Sequence, residues 1–351
     1  MPAVTLEKKS KKGAVAAFIG VLVILAGVIV LENTLDPNRN LIIFTALKKG
    51  AVYALVAVSM NLLNGFTGLF SLGQAGFMLL GGYTYAILTI PSAEREGVYY
   101  MYDGSAINFS ITESLQNLFG GGGVGGAVGL VLGVLIAIII AGLVAALIAW
   151  LIGLPVLKLK SDYLAIATLG FAEIIRAVFQ WPNLGRITNG ANALNRFPTL
   201  TDFNITNADG QVVLRLSTFV VFAIAGLCIF LIVLLINSSY GRALKAIRED
   251  EIAAEAMGIN LAKHKRLSFI ISSFFTGVGG ALFAMYVNQV QAKTLNSAMT
   301  YVLLLIVVLG GMGSVSGRVV GAFLSAASSE WWVRFLENTA AFSGGTRRWI
   351  L

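Results

Sequence analysis

The stretch Gly125–Leu154, GGAVGLVLGVLIAIIIAGLVAALIAWLIGL, contains no charged, hydroxyl or amide side chain. A helix needs about 20 consecutive apolar residues to cross the hydrocarbon core of a bilayer. This stretch is longer than the required length. It therefore predicts a transmembrane helix, and it decides the fold class of the chain.

The same character extends over the other parts of the chain. Of its 351 residues, 57% are hydrophobic and only 12% are charged, whereas soluble domains carry about 25% charged residues. A globular core could not bury so much apolar surface, so we predict an all-α, polytopic membrane helical bundle. Six stretches lack Asp, Glu, Lys and Arg altogether: Gly13–Leu31, Gly50–Ala93, Ser114–Leu157, Leu216–Gly241, Leu267–Ala292 and Thr294–Gly317.

These runs predict about eight to ten spanning or re-entrant helices, several of them broken. We expect a basic N-terminal segment at 1–12, a membrane domain at 13–340 and a C-terminal tail at 341–351. The predicted spans are about 13–31, 41–63, 70–90, 124–152, 163–181, 216–237, 267–288, 299–312 and 318–336.

The distribution of positive charge predicts the orientation. Four lysines lie within residues 1–12, and basic flanks stay in the cytoplasm. No small-residue cleavage pattern follows the first apolar run, so we expect an uncleaved first helix and a cytoplasmic N-terminus. The acidic segment 90–117 and the polar segment 181–215 would then face outside, and the basic segments 154–162 and 238–266 would face inside.

Two of the predicted spans are interrupted by small and polar residues. Residues 61–77 include Asn61, Asn64, Ser71 and Gln74, and residues 309–321 hold five glycines together with Ser314 and Ser316. Broken helices are tolerated in a bilayer where they are buried in protein or line a water-filled cavity. We therefore predict a translocation pathway there. Close helix packing through small residues is the alternative.

Glu173 and Arg176 lie within one predicted span and are three residues apart, so they can pair on one helix face. Ionisable residues in a bilayer are costly and often functional. The pair is therefore a candidate polar group or gate on the pathway. A structural ion pair that faces a neighbouring helix explains the same spacing equally well.

The segment 241–266, GRALKAIREDEIAAEAMGINLAKHKR, holds six Lys or Arg and four Asp or Glu residues. Asp250 is placed to cap a short helix that ends at Gly258. So short a helix is marginal in water, so we expect it to be held by a soluble partner that docks on the face formed by Ala253, Ala254 and Met257. The alternative is a solvated, charged loop.

Composition also excludes several classes of function. Cys228 and His264 are the only cysteine and histidine, so neither an intrachain disulfide nor a metal site of His and Cys ligands is possible. The spans contain no cluster of His, Cys or paired carboxylates, which argues against a membrane-embedded enzyme. The net charge of +8 is expected at membrane flanks and does not indicate nucleic-acid binding.

Four separated blocks, which fall in order within about 45–325, resemble the branched-chain amino acid permeases of ATP-binding-cassette importers, specifically the longer of the two paired permease subunits. The charged segment resembles the ATPase-coupling loop of such permeases, in which two alanines are followed after three residues by glycine. Ile252 stands where that loop usually has glutamate. The blocks are NLLNGFTGLFSLGQAGFMLLGGY, LKLKSDYLAIATLGFAEIIRAVF, GRALKAIREDEIAAEAMGIN and VVLGGMGSVSGRVVGAF.

The resemblance implies a heteromeric importer in a bacterial cytoplasmic membrane. A second permease subunit, two cytoplasmic ATPases and an extracytoplasmic solute-binding protein would complete it. ATP and Mg would act on the ATPases, with no cofactor on this chain and no nucleic-acid partner. The coupling loop would span 238–266. Its expected ATPase contacts are Gly241, Arg242, Glu249, Asp250, Glu251, Ala253, Ala254 and Gly258.

The expected solutes are branched-chain and other hydrophobic amino acids. The same machinery could carry urea, short amides or another small polar solute, so that alternative stays open. A self-contained secondary transporter is a rival of another class. It requires ionisable residues deep in the bundle, for which Glu173 is the strong acidic candidate. The resembled family usually continues with another apolar helix beyond TRRWIL, so we expect either a truncated end or a dispensable last helix.

Overall fold

The computed structural model describes residues 25–35, 37–120, 123–159, 161–206, 212–311 and 313–332. The regular secondary structure of these residues is helical, apart from one short two-stranded antiparallel ribbon and an isolated bridge between Leu194 and Val290, so the predicted all-α class is confirmed. The helices are α1 Leu25–Thr34, α2 Pro37–Asn64, α3 Gln74–Thr89, α4 Arg95–Val98, α5 Ile111–Leu118, α6 Gly123–Val156, α7 Ser161–Gln180, α8 Gly185–Thr188, α9 Ser217–Asn237, α10 Ser239–Glu249, α11 Glu251–Ala256, α12 Leu261–Val287, α13 Ser297–Leu309 and α14 Val315–Ala327.

Shorter elements join these helices. Turns of 3₁₀-helix lie at Ser92–Glu94, Tyr100–Tyr102, Pro182–Leu184 and Leu200–Phe203, and a π-helical turn at Ser328–Trp332 follows α14. The ribbon pairs β1 Ile205–Thr206 with β2 Val212–Leu214.

Five helices of the described part are long and apolar enough to cross a membrane. They are Asn40–Asn64, Gly125–Val156, Tyr163–Gln180, Ser217–Asn237 and Leu261–Val287, and each overlaps a span predicted from the sequence. Leu25–Thr34 and Ser297–Leu309 are shorter apolar helices.

Several predicted span boundaries differ from the helices of the structure. The span 267–288 begins already at Leu261. The span 70–90 begins only at Gln74, because residues 65–73 are not helical. The span 299–312 ends at Leu309, where positive-φ glycines follow, and the regular α-helix of the span 318–336 ends at Ala327. The segments 1–12 and 341–351, and most of the first predicted span, lie outside the described residues.

The helix α12 forms the centre of the bundle, packed between α2, α3 and α6, and most of its residues are buried. Glycines permit this packing because helix backbones touch directly there. A Cβ atom built on Gly81 of α3 would lie 2.0 Å from the carbonyl oxygen of Gly277 in α12. A Cβ on Gly277 would lie 2.6 Å from the Cβ of Ala145 in α6.

Hydroxyl groups join α12 to α2 along one face. Ser268, Ser272 and Thr276 follow one another at intervals of four residues and are fully buried. The Ser272 hydroxyl donates to the Ser59 carbonyl at 2.7 Å, and the hydroxyls of Thr276 and Ser59 are 2.8 Å apart. These bonds satisfy side chains that water does not reach.

The two ends of the bundle are built differently. At one end, the buried Glu32 carboxylate accepts hydrogen bonds from the Ser217 hydroxyl at 2.6 Å and the Thr218 amide at 3.0 Å. It thereby caps α9, and the Lys48 ammonium lies 3.9 Å away. The other end of α9 leads directly into α10 and α11. The charged segment, residues 238–266, therefore lies at the end opposite Glu32.

Residues 91–119, between α3 and α6, are organised around a buried arginine. The Arg95 guanidinium donates to the carbonyls of Ile87 at 2.9 Å and Phe109 at 2.7 Å, and also to that of Ile107. Desolvation lowers the pKa of Arg95 from its ordinary value. The arginine thus holds this segment against the end of α3, away from the charged segment.

Candidate functional site

The two interrupted regions form two links between helices. The first link, residues 65–73, joins α2 to α3. The second link, residues 310–314, joins α13 to α14, and its Met312 lies outside the described residues. Gly68 has φ +77°, Gly311 φ +81° and Gly313 φ +86°. Such backbone angles favour glycine, because it has no Cβ atom. Glycine therefore permits both links to turn within a few residues.

Asn61 joins the two links to each other. Its Nδ2 group donates to the Ser314 carbonyl at 3.4 Å, and its Oδ1 atom accepts from the Gly313 amide at 3.4 Å. A Cβ atom on Gly65 would lie 2.9 Å from the Gly313 nitrogen. The two interruptions, almost 250 residues apart in sequence, therefore meet backbone to backbone.

Three more of the predicted pathway residues are buried beside the first link. The Asn64 Oδ1 atom accepts from the Ser71 amide at 3.2 Å, and the Gln74 Oε1 atom accepts from the Thr276 hydroxyl at 2.7 Å. The Asn64 Nδ2 group is buried without a hydrogen-bond partner in the described structure. Ser316 is separate from this group, because its side chain is exposed.

Glu173 and Arg176 lie apart from the links. The Arg176 Nε atom is 2.6 Å from the Glu173 carboxylate, and each side chain is about one third exposed. Glu173 also accepts a hydrogen bond from the Ser297 hydroxyl, at the first residue of α13. The second link follows the other end of α13, after Leu309, so the ion pair lies far from it along this helix. This geometry ties α7 to α13, which favours the interpretation as a structural ion pair.

The short helix α11 in the charged segment has the predicted ends. The Asp250 carboxylate accepts from the amides of Ile252 at 2.9 Å and Ala253 at 3.0 Å, and Gly258 follows with φ +84°. Docking of a soluble partner stays a prediction, but the chain itself also holds this helix. Ala254 is buried within the chain itself, and the Lys265 ammonium lies 2.6 Å from the Glu251 carboxylate.

The outward face of this helix includes Ala253 and Met257, as predicted, but differs from the predicted face at Ala254. Ile252 and Met257 are 82% and 84% exposed, whereas Ala254 is only 4% exposed and faces inward. Gly241 is also buried, since a Cβ atom there would lie 2.1 Å from the Ile236 carbonyl oxygen. The other expected contact residues are exposed: Arg242, Glu249, Asp250, Glu251, Ala253 and Gly258.

Sequence analysis missed Arg248, the penultimate residue of α10. Its Nη1 atom donates to the Gly65 carbonyl in the first link at 2.9 Å. The same Nη1 atom lies 3.2 Å from the Cβ position of Gly313 in the second link. The guanidinium pairs with Glu249, to which its Nε atom donates at 3.0 Å. No local pattern indicated these contacts, because both partners are distant in sequence.

Arg318 is a second missed residue. Its side chain is fully buried, and its Nε atom donates to the Val307 carbonyl at 3.3 Å. Its Nη1 and Nη2 atoms have no hydrogen-bond partner in the described part of the chain. A cation here lies at the C-terminal end of α13, where the helix dipole favours positive charge.

The titratable side chains of the described residues form no group of three or more His, Cys, Asp or Glu that could hold a metal ion. The ring of His264 instead stacks on Tyr240, with 4.7 Å between the ring centres. The site is therefore built from neutral polar side chains, glycine turns and one arginine.

The family model described as branched-chain amino acid transport system, permease component, matches residues 42–346. No solved structure shows significant similarity to the chain.

Curated relatives have the same description. The chain is 31% identical over 313 residues to the high-affinity branched-chain amino acid transport system permease protein LivM of Salmonella typhimurium, and 32% identical to that of Escherichia coli. Each match covers 84% of this chain and 64% of the relative. A probable branched-chain amino acid transport permease protein LivH of Methanocaldococcus jannaschii is 30% identical over 52% of this chain and 56% of its own length.

Proposed function

Since the chain belongs to the family of permease components of branched-chain amino acid transport systems, we propose that it is one membrane subunit of an ATP-binding-cassette importer. It would form part of the pathway for branched-chain and other hydrophobic amino acids, as a transport subunit and not as an enzyme. The chain spans 64% of the length of its two bacterial LivM relatives.

The contact between the two links carries this proposal. Both links lie at the same end of the bundle as the charged segment, and Arg248 of that segment bonds to the first link. Transport by alternating access requires elements that change their packing around a fixed path. The two links are such elements. They interrupt helices at the point where these helices meet, and the exposed charged segment contacts them there.

The polar groups beside the first link suit a zwitterionic solute. Asn61, Asn64, Ser71 and Gln74 are neutral and at most 7% exposed. A fixed, unpaired charge would hold either the ammonium or the carboxylate of an amino acid too firmly for release. The guanidinium of Arg248, the charged group at the links, is paired with the Glu249 carboxylate. Neutral donors and acceptors bind both groups weakly, and the buried Nδ2 group of Asn64 has no hydrogen-bond partner in the described structure.

The exposed residues Ile252 on α11 and Met257 at its C-terminal end would contact a cytoplasmic ATPase, because large apolar side chains in a polar loop favour burial in an interface. The complex would contain two ATPases, which bind ATP and Mg, and a second permease subunit. An extracytoplasmic protein would deliver the solute. Exposed side chains along α6, among them Ile139, Leu143 and Leu147, suit contact with lipid.

The chain is a multi-pass membrane protein, and we place it in the cytoplasmic membrane with its N-terminus and charged segment inside. The basic residues of 238–266 support this orientation. Labelling of a single cysteine at Met257 by a membrane-impermeant maleimide tests it, in a chain whose natural Cys228 is replaced by serine. Labelling only in inside-out vesicles is expected, and labelling in intact cells would contradict the orientation.

Uptake of radiolabelled leucine into proteoliposomes tests the proposed function. The vesicles would contain the chain with its partner permease, the ATPase and the binding protein. We expect uptake that requires ATP and is inhibited by excess isoleucine or valine. Inhibition by urea or acetamide in place of these amino acids would support the small polar solute, and uptake without any ATPase would support a secondary transporter.

A further inference from the structure

We infer that Arg248 is a positioning residue that transmits movement of the charged segment to both helix links. This inference rests on the proposed function, because it identifies the point at which the coupling segment would act on the pathway.

Arg248 contacts the first link in two ways. Its Nη1 atom donates to the Gly65 carbonyl at 2.9 Å, one residue after α2 ends. Its aliphatic stem covers Gly68, where a Cβ atom would lie 3.1 Å from the Arg248 Cγ atom. The first link is therefore held at its carbonyl and at its glycine turn by one side chain.

The same guanidinium reaches the second link. Gly313 has φ +86° and no side chain, which leaves room for the Arg248 Nη1 atom 3.2 Å from the Cβ position. Asn61 completes the junction, since it bonds to Gly313 and Ser314. Among the described residues of the charged segment, Arg248 thus touches both links at the point where they touch each other.

The position of Arg248 suits transmission of movement. It lies in the last turn of α10, and Asp250, two residues later, caps α11. The exposed Ile252 and Met257 belong to α11 and its C-terminal end. A force applied to these two side chains would therefore reach the Gly65 carbonyl through a few residues of capped helix.

An arginine is needed at this position because its planar group has several donors in fixed directions. The Nε atom donates to Glu249 at 3.0 Å, and Nη2 bonds to the same carboxylate, which leaves Nη1 directed at Gly65. Lysine has a single ammonium on a flexible stem. It keeps the charge but cannot make the two sets of contacts with the same geometry.

Distance measurement on the chain alone tests the contact. Spin labels would be attached at Phe70 and Ser316, which are exposed residues on or next to the two links, in a background in which Cys228 is serine. In lipid nanodiscs, R248A is expected to broaden and lengthen the distance distribution, and R248K to give an intermediate result. R242A is the matched control, because Arg242 lies in the same helix and donates within it to Ser239. A distribution for R248A that superimposes on the unsubstituted one would overturn the inference.

Measurement of transport against ATP hydrolysis tests the consequence. In the reconstituted complex, R248A is expected to lower leucine uptake per ATP hydrolysed by about tenfold or more, the loss typical of one charge-assisted hydrogen bond. ATP hydrolysis itself should persist, R248K should restore part of the uptake, and K263A, at an exposed lysine of α12, should leave the ratio unchanged. Equal losses of uptake and hydrolysis in R248A would show that Arg248 serves assembly and not transmission.

The two measurements separate the failure of this inference from the failure of the proposed function. A complex without ATP-driven leucine uptake would refute the proposed function, while the label distances would still decide whether Arg248 holds the links together. Normal uptake with an unchanged ratio in R248A would refute the transmission role alone.

Discussion

The contact between α3 and α12 offers a direct test of how this bundle is packed. The proposed change is Gly81→Ala, which adds one methyl group to a buried helix position. The new Cβ atom would lie 2.0 Å from the Gly277 carbonyl oxygen, and real Cβ contacts closer than 3.0 Å are essentially never seen. The two helices must therefore separate by at least about 1 Å, and α12 is also confined by α2 and α6.

The expected cost follows from two opposed effects. Alanine favours the helix over glycine by about 1 kcal/mol. Overpacking of a well-packed core costs about 1–3 kcal/mol and sometimes more, and here the clash is with backbone, which cannot change rotamer. A backbone clash belongs at the upper end of the overpacking range, about 3 kcal/mol, so after the gain from alanine we expect a net loss of about 2 kcal/mol in the free energy of unfolding of Gly81→Ala.

Thermal unfolding in detergent, followed by intrinsic fluorescence, measures this loss. Gly170→Ala in α7 and Gly226→Ala in α9 are matched controls, because a Cβ atom at either position meets nothing within 4 Å. Both should be neutral or slightly stabilising. If Gly81→Ala were as stable as the two controls, the close backbone contact between α3 and α12 would be refuted.

A second close contact between α3 and α12 provides an additional test, at Gly280. A Cβ atom on Gly280 would lie 2.1 Å from the Met78 carbonyl oxygen. Because either substitution forces the same separation of α3 and α12, the double variant should lose less stability than the sum of the two single losses. Additive losses would indicate two independent local clashes.

Four further predictions concern the site and the loops. Asn61→Ala should lower stability by about 1–3 kcal/mol through loss of buried hydrogen bonds and should impair leucine uptake. Asn61→Asp keeps the shape of the side chain but adds a charge, so it distinguishes the effect of charge from the effect of shape. Gly258→Ala should cost about 1 kcal/mol for its left-handed backbone, seen as faster hydrogen exchange in α11, whereas Gly258→Asn should be tolerated. Ile252→Ser should weaken ATPase binding by about 1 kcal/mol or more, measured by titration, without changing the unfolding temperature. The amide and hydroxyl of Ser92 hold the pKa of Glu113 below its ordinary value, so its stabilising effect should be present near neutral pH and be lost as the pH falls through that lowered pKa. Thermal scans of Glu113→Gln against pH should therefore converge with the unsubstituted protein in acid.

The local composition of the chain determined much of the fold. Spanning helices were predictable because a run of neighbouring apolar residues is enough to identify them. Five described helices are long and apolar enough to cross a membrane. The breaks at 65–73 and 310–314 were visible as glycines and polar residues in charge-free runs. The cap at Asp250 and the turn at Gly258 were also predictable, because a helix end is determined by the residues beside it.

Residue spacing alone did not determine which side of the short helix α11 faces outward. Alanine suits both a docking face and a packed core, so Ala253 and Ala254 looked equivalent in sequence. The structure buries Ala254 against its own chain and exposes Ile252 instead. The choice depends on how α11 packs on α10 and α12, and the position of α12 is fixed by its packing with helices distant in sequence.

The tertiary structure alone decided which polar groups meet. In the sequence, Arg248 is one of several charges in a charged segment, and Glu32 follows the end of a hydrophobic run. In the fold, Arg248 bonds to Gly65, and Glu32 caps α9 at Ser217 and Thr218. These contacts join residues that are some 180 positions apart. Apolar periodicity places a residue on a helix, but only the packing of the helices determines which distant group its charge can reach.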